Sequence, residues 1–331
     1  MAVWTRLFTV LLLLLSCLDP ATMARAEDGP LKRARFLPQW SPQAQFAGYY
    51  VAFHKGIYKQ HGIDLYILNG GPGHSPWEYL EKGKTDFATL WLATGIQMRA
   101  QGVPVVNMAQ ILQRSALMLV AKKARGIETV ADIDGRKVGL WGSVFRVQPL
   151  AFFRKFNLQV TVVPQSRSLD LFLRDGVAVA SAMWYNEYHT ILSSGIDADE
   201  LTTFFFHDYG LNYPEDGLYA LEATWREDPT LCRAFIQASL EGWRHAFDHP
   251  EEAVDIVMTD MERAHIPATR VHQRWMLDRM KDLMIPADDP DRAPGLLIPA
   301  DYERVAQGLQ ALDLIDVVPD FSSFYRARPH D

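Results

Sequence analysis

The sequence predicts an α/β protein of two lobes with a cleft between them. Strand and helix patterns alternate through the first part of the chain, which is typical of a parallel sheet covered by helices. The alternation restarts after Lys122, and Asp216–Leu221 resembles a strand that returns to the first sheet. Because the first round encloses the second, we expect a discontinuous first lobe, residues 30–120 and 218–331, and a continuous second lobe, residues 121–217.

The first lobe opens with a strand followed closely by a helix. Ser41 is a suitable N-cap, Pro42 suits the first helical position, and Gly56 ends the apolar stretch. Later short apolar runs predict further strands, and longer periodic stretches predict helices. The predicted strands are 35–37, 63–68, 86–90, 103–106 and 116–120, and the predicted helices are 42–55, 76–81 and 91–101.

The second lobe repeats this alternation, and the chain after residue 229 is nearly all helical. Those last helices need a sheet to pack on, and the sheet of the first lobe is available. In the second lobe the predicted strands are 137–141, 160–163 and 177–183, with helices at 130–133, 149–156, 169–174 and 185–194. The later helices are predicted at 231–248, 251–263, 269–283 and 300–312.

The N-terminus predicts export. Arg6 precedes an apolar run at residues 7–15, and residues 24–26 form an A-x-A cleavage site, so residues 1–26 are typical of a signal peptide. This favours a soluble periplasmic protein. The alternative is a lipid anchor at Cys17, for which Leu15 is a poor residue in the required cleavage box.

Composition excludes several classes of function. The net charge is −7 and no basic stripe is present, so nucleic acid is not an expected partner. The soluble mature chain keeps one cysteine, Cys232, which excludes an internal disulfide. No later apolar run is long enough to span a bilayer. Contact with a membrane is therefore expected only through a permease or through the anchor at Cys17.

The stretch at residues 39–50 predicts one wall of a ligand site. Trp40, Gln43, Phe46 and Tyr49 lie where a strand is followed by a helix, the place where open α/β sheets bind ligands. The aromatic rings offer stacking faces, and the amide offers hydrogen bonds. The alternative is that these aromatic side chains fill the core under the first helix.

The stretch at residues 183–188 predicts the opposing wall. Tyr185, Asn186 and Glu187 follow the last strand of the second lobe, and together with the first wall they would hold a flat ring and bind its edge. The alternative is a packed Tyr185 and a solvated Glu187 in the first turn of a helix. Further candidates at equivalent junctions or at the return crossover are Trp91, Gln113, Trp141 and Asp216.

Catalytic and metal patterns are weak. Ser143 lies between a strand and a helix, but the second glycine of a nucleophile elbow is missing. His245 and His249 stand four residues apart without the glutamate of a zinc motif. We therefore predict no catalytic residue, no metal and no cofactor.

Several motifs carry a family resemblance across essentially the whole mature chain. They are Gln39-Trp40-Ser41-Pro42, Gly48-Tyr49-Tyr50-Val51-Ala52, Lys55-Gly56-Ile57-Tyr58, His61-Gly62-Ile63-Asp64, Gly83-Lys84-Thr85-Asp86-Phe87, Ala100-Gln101-Gly102-Val103-Pro104-Val105 and Asp134-Gly135-Arg136-Lys137-Val138-Gly139. The chain resembles type II periplasmic solute-binding proteins, and most closely the thiamine-pyrimidine family. That family unites bacterial binding proteins for thiamine pyrimidine precursors with the eukaryotic pyrimidine synthases.

The resemblance implies a periplasmic receptor of an ABC-type importer that binds a small heteroaromatic compound, such as a thiamine pyrimidine precursor or a flavin. The alternatives are a pyrimidine synthase-like enzyme, a sensor that feeds a membrane kinase, and a sulfonate binder. The synthases resemble suicide enzymes that use a lysine, a histidine and a cysteine cluster. Here Leu90 and Thr94 stand at the lysine and histidine positions, and residues 211–216 contain no cysteine. The resemblance therefore favours binding over catalysis.

Overall fold

The computed structural model describes residues 30–289 and 291–326. The predicted signal peptide and Cys17 lie outside the described residues. From Leu31 onward the chain forms one compact unit, which holds two five-stranded sheets surrounded by helices. The predicted α/β class is confirmed. None of the described helices combines the length and the apolar character that a membrane span needs.

The first sheet has the strand order β2-β1-β3-β10-β4. Strand β1 is parallel to β2 and β3, whereas β10 is antiparallel to β3 and β4. The return strand expected near residue 216 is therefore present, and it lies inside the sheet. The strands are β1 (Lys32–Leu37), β2 (Ile63–Ile67), β3 (Phe87–Trp91), β4 (Val105–Gln110) and β10 (Asp216–Leu221).

The second sheet has the order β7-β6-β8-β5-β9. Strand β6 is parallel to both of its neighbours, whereas β5 is antiparallel to both of its own. Strand β9 was not expected from the sequence, where its phenylalanines carried no clear alternation. The strands are β5 (Leu117–Lys122), β6 (Lys137–Leu140), β7 (Thr161–Pro164), β8 (Val179–Met183) and β9 (Leu201–Phe205).

One strand lies in a different sheet from the one expected. The predicted boundary assigned residues 117–120 to the first lobe, but β5 pairs with β8 and β9 of the second sheet. All but the last of its residues are buried, which suits a strand between two neighbours. The first crossover between the sheets therefore runs through residues 111–116.

Thirteen helices are found among the described residues. They are α1 (Ala47–His54), α2 (Ile57–Gln60), α3 (Pro76–Glu81), α4 (Leu92–Ala100), α5 (Val147–Lys155), α6 (Asp170–Leu173), α7 (Glu187–Ser193), α8 (Glu222–Glu227), α9 (Pro229–Asp248), α10 (Pro250–Arg263), α11 (Arg270–Met284), α12 (Pro299–Ala311) and α13 (Phe321–Phe324). Helix α9 packs closely on α1, since a Cβ atom at Gly48 would lie 2.3 Å from the ring of Trp243. Phe235 of α9 stacks on Phe87 of β3 with 4.2 Å between ring centroids, so α9 packs on the first sheet, as expected.

Helix α1 begins later than the sequence predicts. Ser41 is not its N-cap: Gln43 is extended, a 3-10 turn covers Ala44–Phe46, and α1 starts at Ala47. The backbone N–H of Ala44 donates to Gln273 Oε1 on α11, 2.8 Å away. Because α11 supplies this acceptor, helix formation is delayed, and residues 38–43 form a loop that leads into the 3-10 turn.

Candidate functional site

A cleft of about 690 Å³ lies between the two sheets, at the ends of their strands. This volume is within the range of small-molecule sites, roughly 300–1,000 Å³. The first-sheet side of the lining is formed by Gln39, Trp40, Gln43, Gln45, Ser75, Pro76, Trp77, Leu90, Trp91, Thr94 and Gln97. The second-sheet side is formed by Trp141, Gly142, Ser143, Val144, Phe145, Arg167, Met183, Tyr185, Asn186 and Glu187.

Aromatic rings line both sides of the cleft. Trp40 is 38% exposed, whereas Tyr185 on the other side is 4% exposed. Phe145 connects the sides: its ring centroid lies 4.5 Å from that of Trp91 and 5.8 Å from that of Trp141, tilted by 68° in both pairs. The indole N–H of Trp141 donates to the backbone carbonyl of Ser166. The cleft therefore offers several stacking faces whose positions are set by packing.

A buried carboxylate lies behind the amides of the first wall. Asp216 opens β10 and accepts hydrogen bonds from the side-chain amides of Gln39 and Gln45. Gln43 in turn donates from Nε2 to Gln45 Oε1, at 2.6 Å. Burial raises the pKa of Asp216 to about 7. Asp216 is not part of the lining, whereas Gln39 and Gln45, which donate to it, are.

The adjacent Glu215 is also buried. Burial, with a smaller contribution from the charge of Asp216, raises its pKa to about 8. Its Oε1 accepts from the backbone N–H groups of Ala116 and Leu117, at 2.7 and 2.9 Å, and from the hydroxyl of Ser115 at 3.0 Å. Glu215 thus joins the return crossover to the outgoing one.

The second wall is held by its own hydrogen bonds. Glu187 opens α7 and accepts from the backbone N–H of Met183 and from Asn186 Nδ2, at 3.0 and 2.9 Å. Burial raises the pKa of Glu187. Burial, followed by the nearby carboxylates Glu215, Asp216 and Glu187, raises the pKa of Tyr185, so its phenol keeps the proton. The alternative, a solvated Glu187 in the first turn of a helix, does not hold: its side chain is half-buried and accepts two hydrogen bonds.

Four of the predicted contacts are not part of the lining: Asp216, which lies behind the amides, and Phe46, Tyr49 and Gln113. Phe46 and Tyr49 are buried in the core, where the Tyr49 ring packs 4.9 Å from Phe36 and 5.6 Å from Trp243. The cause is the late start of α1, which turns these side chains under the helix. Gln113 is buried and donates to the backbone carbonyls of Gln110 and Leu296.

The other predicted residues are brought together, and new ones join them. The sequence did not predict four of the aromatic and amide residues in the lining, which are Trp77, Phe145, Gln39 and Gln45. Phe145 and Gln39 each lie within four residues of a predicted contact and after a strand, which is the signal that could have identified them. The lining residues that had been predicted are Trp40, Gln43, Trp91, Trp141, Tyr185, Asn186 and Glu187.

The chemistry of the lining is that of a binding surface. Its charged residues are Arg167 and Glu187. Across residues 30–289 and 291–326, no group of three or more His, Cys, Asp or Glu side chains is placed to hold a metal ion. Cys232 is buried in α9 and takes no part in the lining.

The two sheets, with a cleft between their strand ends, form the two-lobe fold of periplasmic binding proteins. A similar solved structure is the periplasmic aliphatic sulphonate binding protein SsuA from Escherichia coli. It is 16% identical, has a TM-score of 0.71, and the match covers 90% of this chain and 94% of that one. The fold predicted from the sequence is confirmed.

The chain belongs to the NMT1/THI5-like family, whose model matches residues 43–253. The family resemblance predicted from the motifs is thereby confirmed. A formylaminopyrimidine-binding protein of Halalkalibacterium halodurans is 23% identical over 319 residues, covering 94% of each chain. The riboflavin-binding protein RibY of Chloroflexus aurantiacus is 25% identical over 279 residues, covering 78% of this chain and 77% of that one.

Enzymes are also among the relatives. A 4-amino-5-hydroxymethyl-2-methylpyrimidine phosphate synthase of Legionella pneumophila is 23% identical over 314 residues, covering 89% of this chain and 92% of its own. The relatives thus include proteins named as binding proteins and proteins named as synthases.

Proposed function

We propose that this protein is a periplasmic solute-binding receptor that closes two lobes around a flat, nitrogen-containing heteroaromatic compound and delivers it to an ABC-type permease. The observation that carries the proposal is the cleft itself, with aromatic rings on both sides and side-chain amides at one edge. The relatives named for a formylaminopyrimidine and for riboflavin support a heteroaromatic ligand.

The aromatic lining favours a flat ring over an aliphatic anion. Stacking on Trp40 and Tyr185 would bury a large area with little loss of side-chain entropy, and the amides would bind polar groups on the ring edge. A sulfonate would instead need several donors or cations, whereas Arg167 is matched in the lining by the acidic Glu187. A scavenging receptor needs a micromolar or tighter affinity, about −8 kcal/mol.

Two adjacent crossovers support closure by a hinge. Residues 111–116 and 212–215 connect the sheets and are bonded to each other, since Asn212 Oδ1 accepts from the N–H of Ser115 and Asn212 Nδ2 donates to the Gln113 carbonyl. Hinges of this kind are a few residues at the ends of elements. We place the lobe boundaries at these crossovers, close to the predicted ranges 30–120 with 218–331 and 121–217.

We propose that the protein is not a synthase. Leu90 and Thr94, which stand at the lysine and histidine positions of the synthases, both line the cleft. Leucine offers no amine for a Schiff base with pyridoxal phosphate, and the described lining contains no lysine, histidine or cysteine. The residues present therefore do not fit that cofactor. Synthase activity is the alternative function, because one relative is named as a synthase.

We propose export through a signal peptide at residues 1–26, with a soluble mature protein favoured over a lipid anchor at Cys17. A sensor that signals to a membrane kinase would use the same cleft. Adjacent permease and ATPase genes would support the importer, and an adjacent sensor-kinase gene would support the sensor.

A ligand screen tests the proposed function. The mature protein is heated with 4-amino-5-hydroxymethyl-2-methylpyrimidine, formylaminopyrimidine, riboflavin, adenine and butanesulfonate, and hits are titrated by calorimetry. A heteroaromatic ligand should raise the melting temperature by mass action, because it binds only the folded state. Binding of butanesulfonate alone would contradict the proposal. A lysine adduct with pyridoxal phosphate, detected by absorbance and mass, would favour the synthase.

A further inference from the structure

Three glutamines of the first wall form a chain of hydrogen bonds that starts at Asp216. Asp216 is 3% exposed, and its two carboxylate oxygens accept from different glutamines. Gln39 Nε2 donates to Oδ1, and Gln45 Nε2 donates to Oδ2 at 2.8 Å. Gln43 Nε2 then donates to Gln45 Oε1 at 2.6 Å. This series of hydrogen bonds therefore has two branches, one of which ends at Gln39 and the other at Gln43.

The carboxylate dictates which end of each amide faces the cleft. An ionised carboxylate only accepts hydrogen bonds, so Gln39 and Gln45 must both turn their NH2 groups toward Asp216. The carbonyl oxygen of Gln45 then faces Gln43, which must turn its own NH2 group toward it. The side-chain oxygens Oε1 of Gln39 and Gln43 remain, and neither accepts a hydrogen bond from another described residue. Both side chains line the cleft.

We propose that Asp216 is a positioning residue that sets the ligand preference of the cleft. Through Gln39, Gln45 and Gln43 it presents carbonyl oxygens, and so selects rings that carry N–H donors, such as exocyclic amino or ring amide groups, over rings whose edge carries only acceptors. This inference rests on the proposed function, because it concerns the same cleft. It adds the hydrogen-bonding class of the ligand.

An isosteric substitution separates this role from packing. The backbone carbonyl of Asp216 accepts from the N–H groups of Ile111 and Leu112, and Asp216→Asn leaves those bonds in place. An asparagine side chain has one acceptor and one NH2 group, so one glutamine must reverse its amide. If Gln39 reverses, its NH2 group faces the cleft. If Gln45 reverses, Gln43 reverses with it. In either case one acceptor of the wall becomes a donor.

The test compares two probes that differ only at one ring substituent. The dissociation constants of 4-amino-2-methylpyrimidine and 4-methoxy-2-methylpyrimidine are measured by calorimetry at pH 8, where the Asp216 carboxyl, with a pKa of about 7, is mostly ionised. The wild type should bind the amino probe about tenfold more tightly than the methoxy probe. Only the amino group can donate a hydrogen bond to a carbonyl oxygen of the wall, and one such bond accounts for about a factor of ten in affinity. Asp216→Asn should reduce this preference by about tenfold, to near unity.

The controls keep the outcomes distinct. Asp228→Asn changes an aspartate that caps α9, outside the lining, and should leave the preference unchanged even if it lowers the melting temperature. If Asp216→Asn fails to fold, Gln45→Met, which keeps the volume and interrupts the chain before Gln43, should also reduce the preference. A folded variant that keeps the full preference for the amino probe overturns the inference. Failure of the wild type to bind either probe, or any heteroaromatic compound in the screen, overturns the proposed function instead.

Discussion

The rings of the two walls differ in exposure. Tyr185 is 4% exposed, so surrounding residues fix the position of its ring. Trp40 is 38% exposed, three residues after the buried Leu37 that ends β1. More than a third of the Trp40 surface thus remains in water, so this ring has less packed area to lose than a fully buried indole has. Its position in the lining gives it a role that depends on a ligand.

Substitution of Trp40 therefore separates binding from stability. Trp40→Ala should weaken binding of the screened ligand by about tenfold or more, because a stacking face is lost. The melting temperature should fall by less than in Trp243→Ala, because Trp243 is 2% exposed and its truncation removes more buried area. Phe53→Ala, which removes a ring of similar exposure on α1 outside the lining, is the matched control. A large fall in melting temperature would assign Trp40 to the core.

At the scale of elements, the loop between β1 and α1 is shaped by a distant helix. Gln273 and Met276 of α11 accept the backbone N–H groups of Ala44 and Gln45. Local signals at Ser41 and Pro42 predict an earlier helix start, and they carry no information about a partner some 230 residues later in the chain. This contact is the reason that the sequence alone predicted the junction correctly but assigned Phe46 and Tyr49 to the wrong surface.

The second wall was more predictable because its geometry is local. Strand β8 ends at Met183 and α7 begins at Glu187, so Tyr185 and Asn186 lie in the connection that faces the cleft. Trp77 could not be identified, since one tryptophan in the first turn of a predicted helix faces either core or cleft. Which side it faces depends on packing between elements, which periodicity in a six-residue helix does not specify.

The contact from α11 to the loop is testable. Gln273→Leu keeps the apolar stem but leaves the buried N–H of Ala44 without its acceptor, which should lower the free energy of unfolding by about 1–3 kcal/mol. Ligand binding should weaken as well, because the loop positions Gln43 and Gln45. Urea unfolding and calorimetry measure the two effects. Gln60→Leu, on the exposed surface of α2, should change neither. Wild-type behaviour of Gln273→Leu in both assays would show that α11 does not shape the loop.

At the scale of the whole molecule, buried acids lie where the two sheets are joined. Glu215 and Asp216 follow one another at the return crossover, and Glu215 bonds to the outgoing crossover as well. The hydrogen bonds that join the two crossovers therefore involve a carboxyl group that titrates. The free energy of unfolding should therefore change with pH as the carboxyl groups of Glu215 and Asp216 titrate.

Burial raises the pKa of Glu215 to about 8 and that of Asp216 to about 7. In the unfolded chain both carboxyl groups titrate near pH 4. Between those values the folded protein binds more protons than the unfolded chain, so the free energy of unfolding decreases as pH rises. His207 and His272, whose pKa values burial lowers, act in the opposite direction below about pH 6.5. The clearest window is therefore pH 6.5 to 8.

Glu215→Gln isolates the contribution of one acid within this window. The glutamine carbonyl can still accept from Ala116, Leu117 and Ser115, and its NH2 group takes the place of Oε2, which has no partner among the described residues. The variant is neutral at every pH, so its stability relative to the wild type should rise by on the order of 1 kcal/mol per pH unit from pH 6.5 to 8. Glu81→Gln, which changes an exposed carboxylate of α3, should run parallel to the wild type. Urea titrations at fixed ionic strength measure these differences. Parallel curves for Glu215→Gln and the wild type would mean that Glu215 is already ionised in the folded protein and that its three hydrogen bonds outweigh its burial.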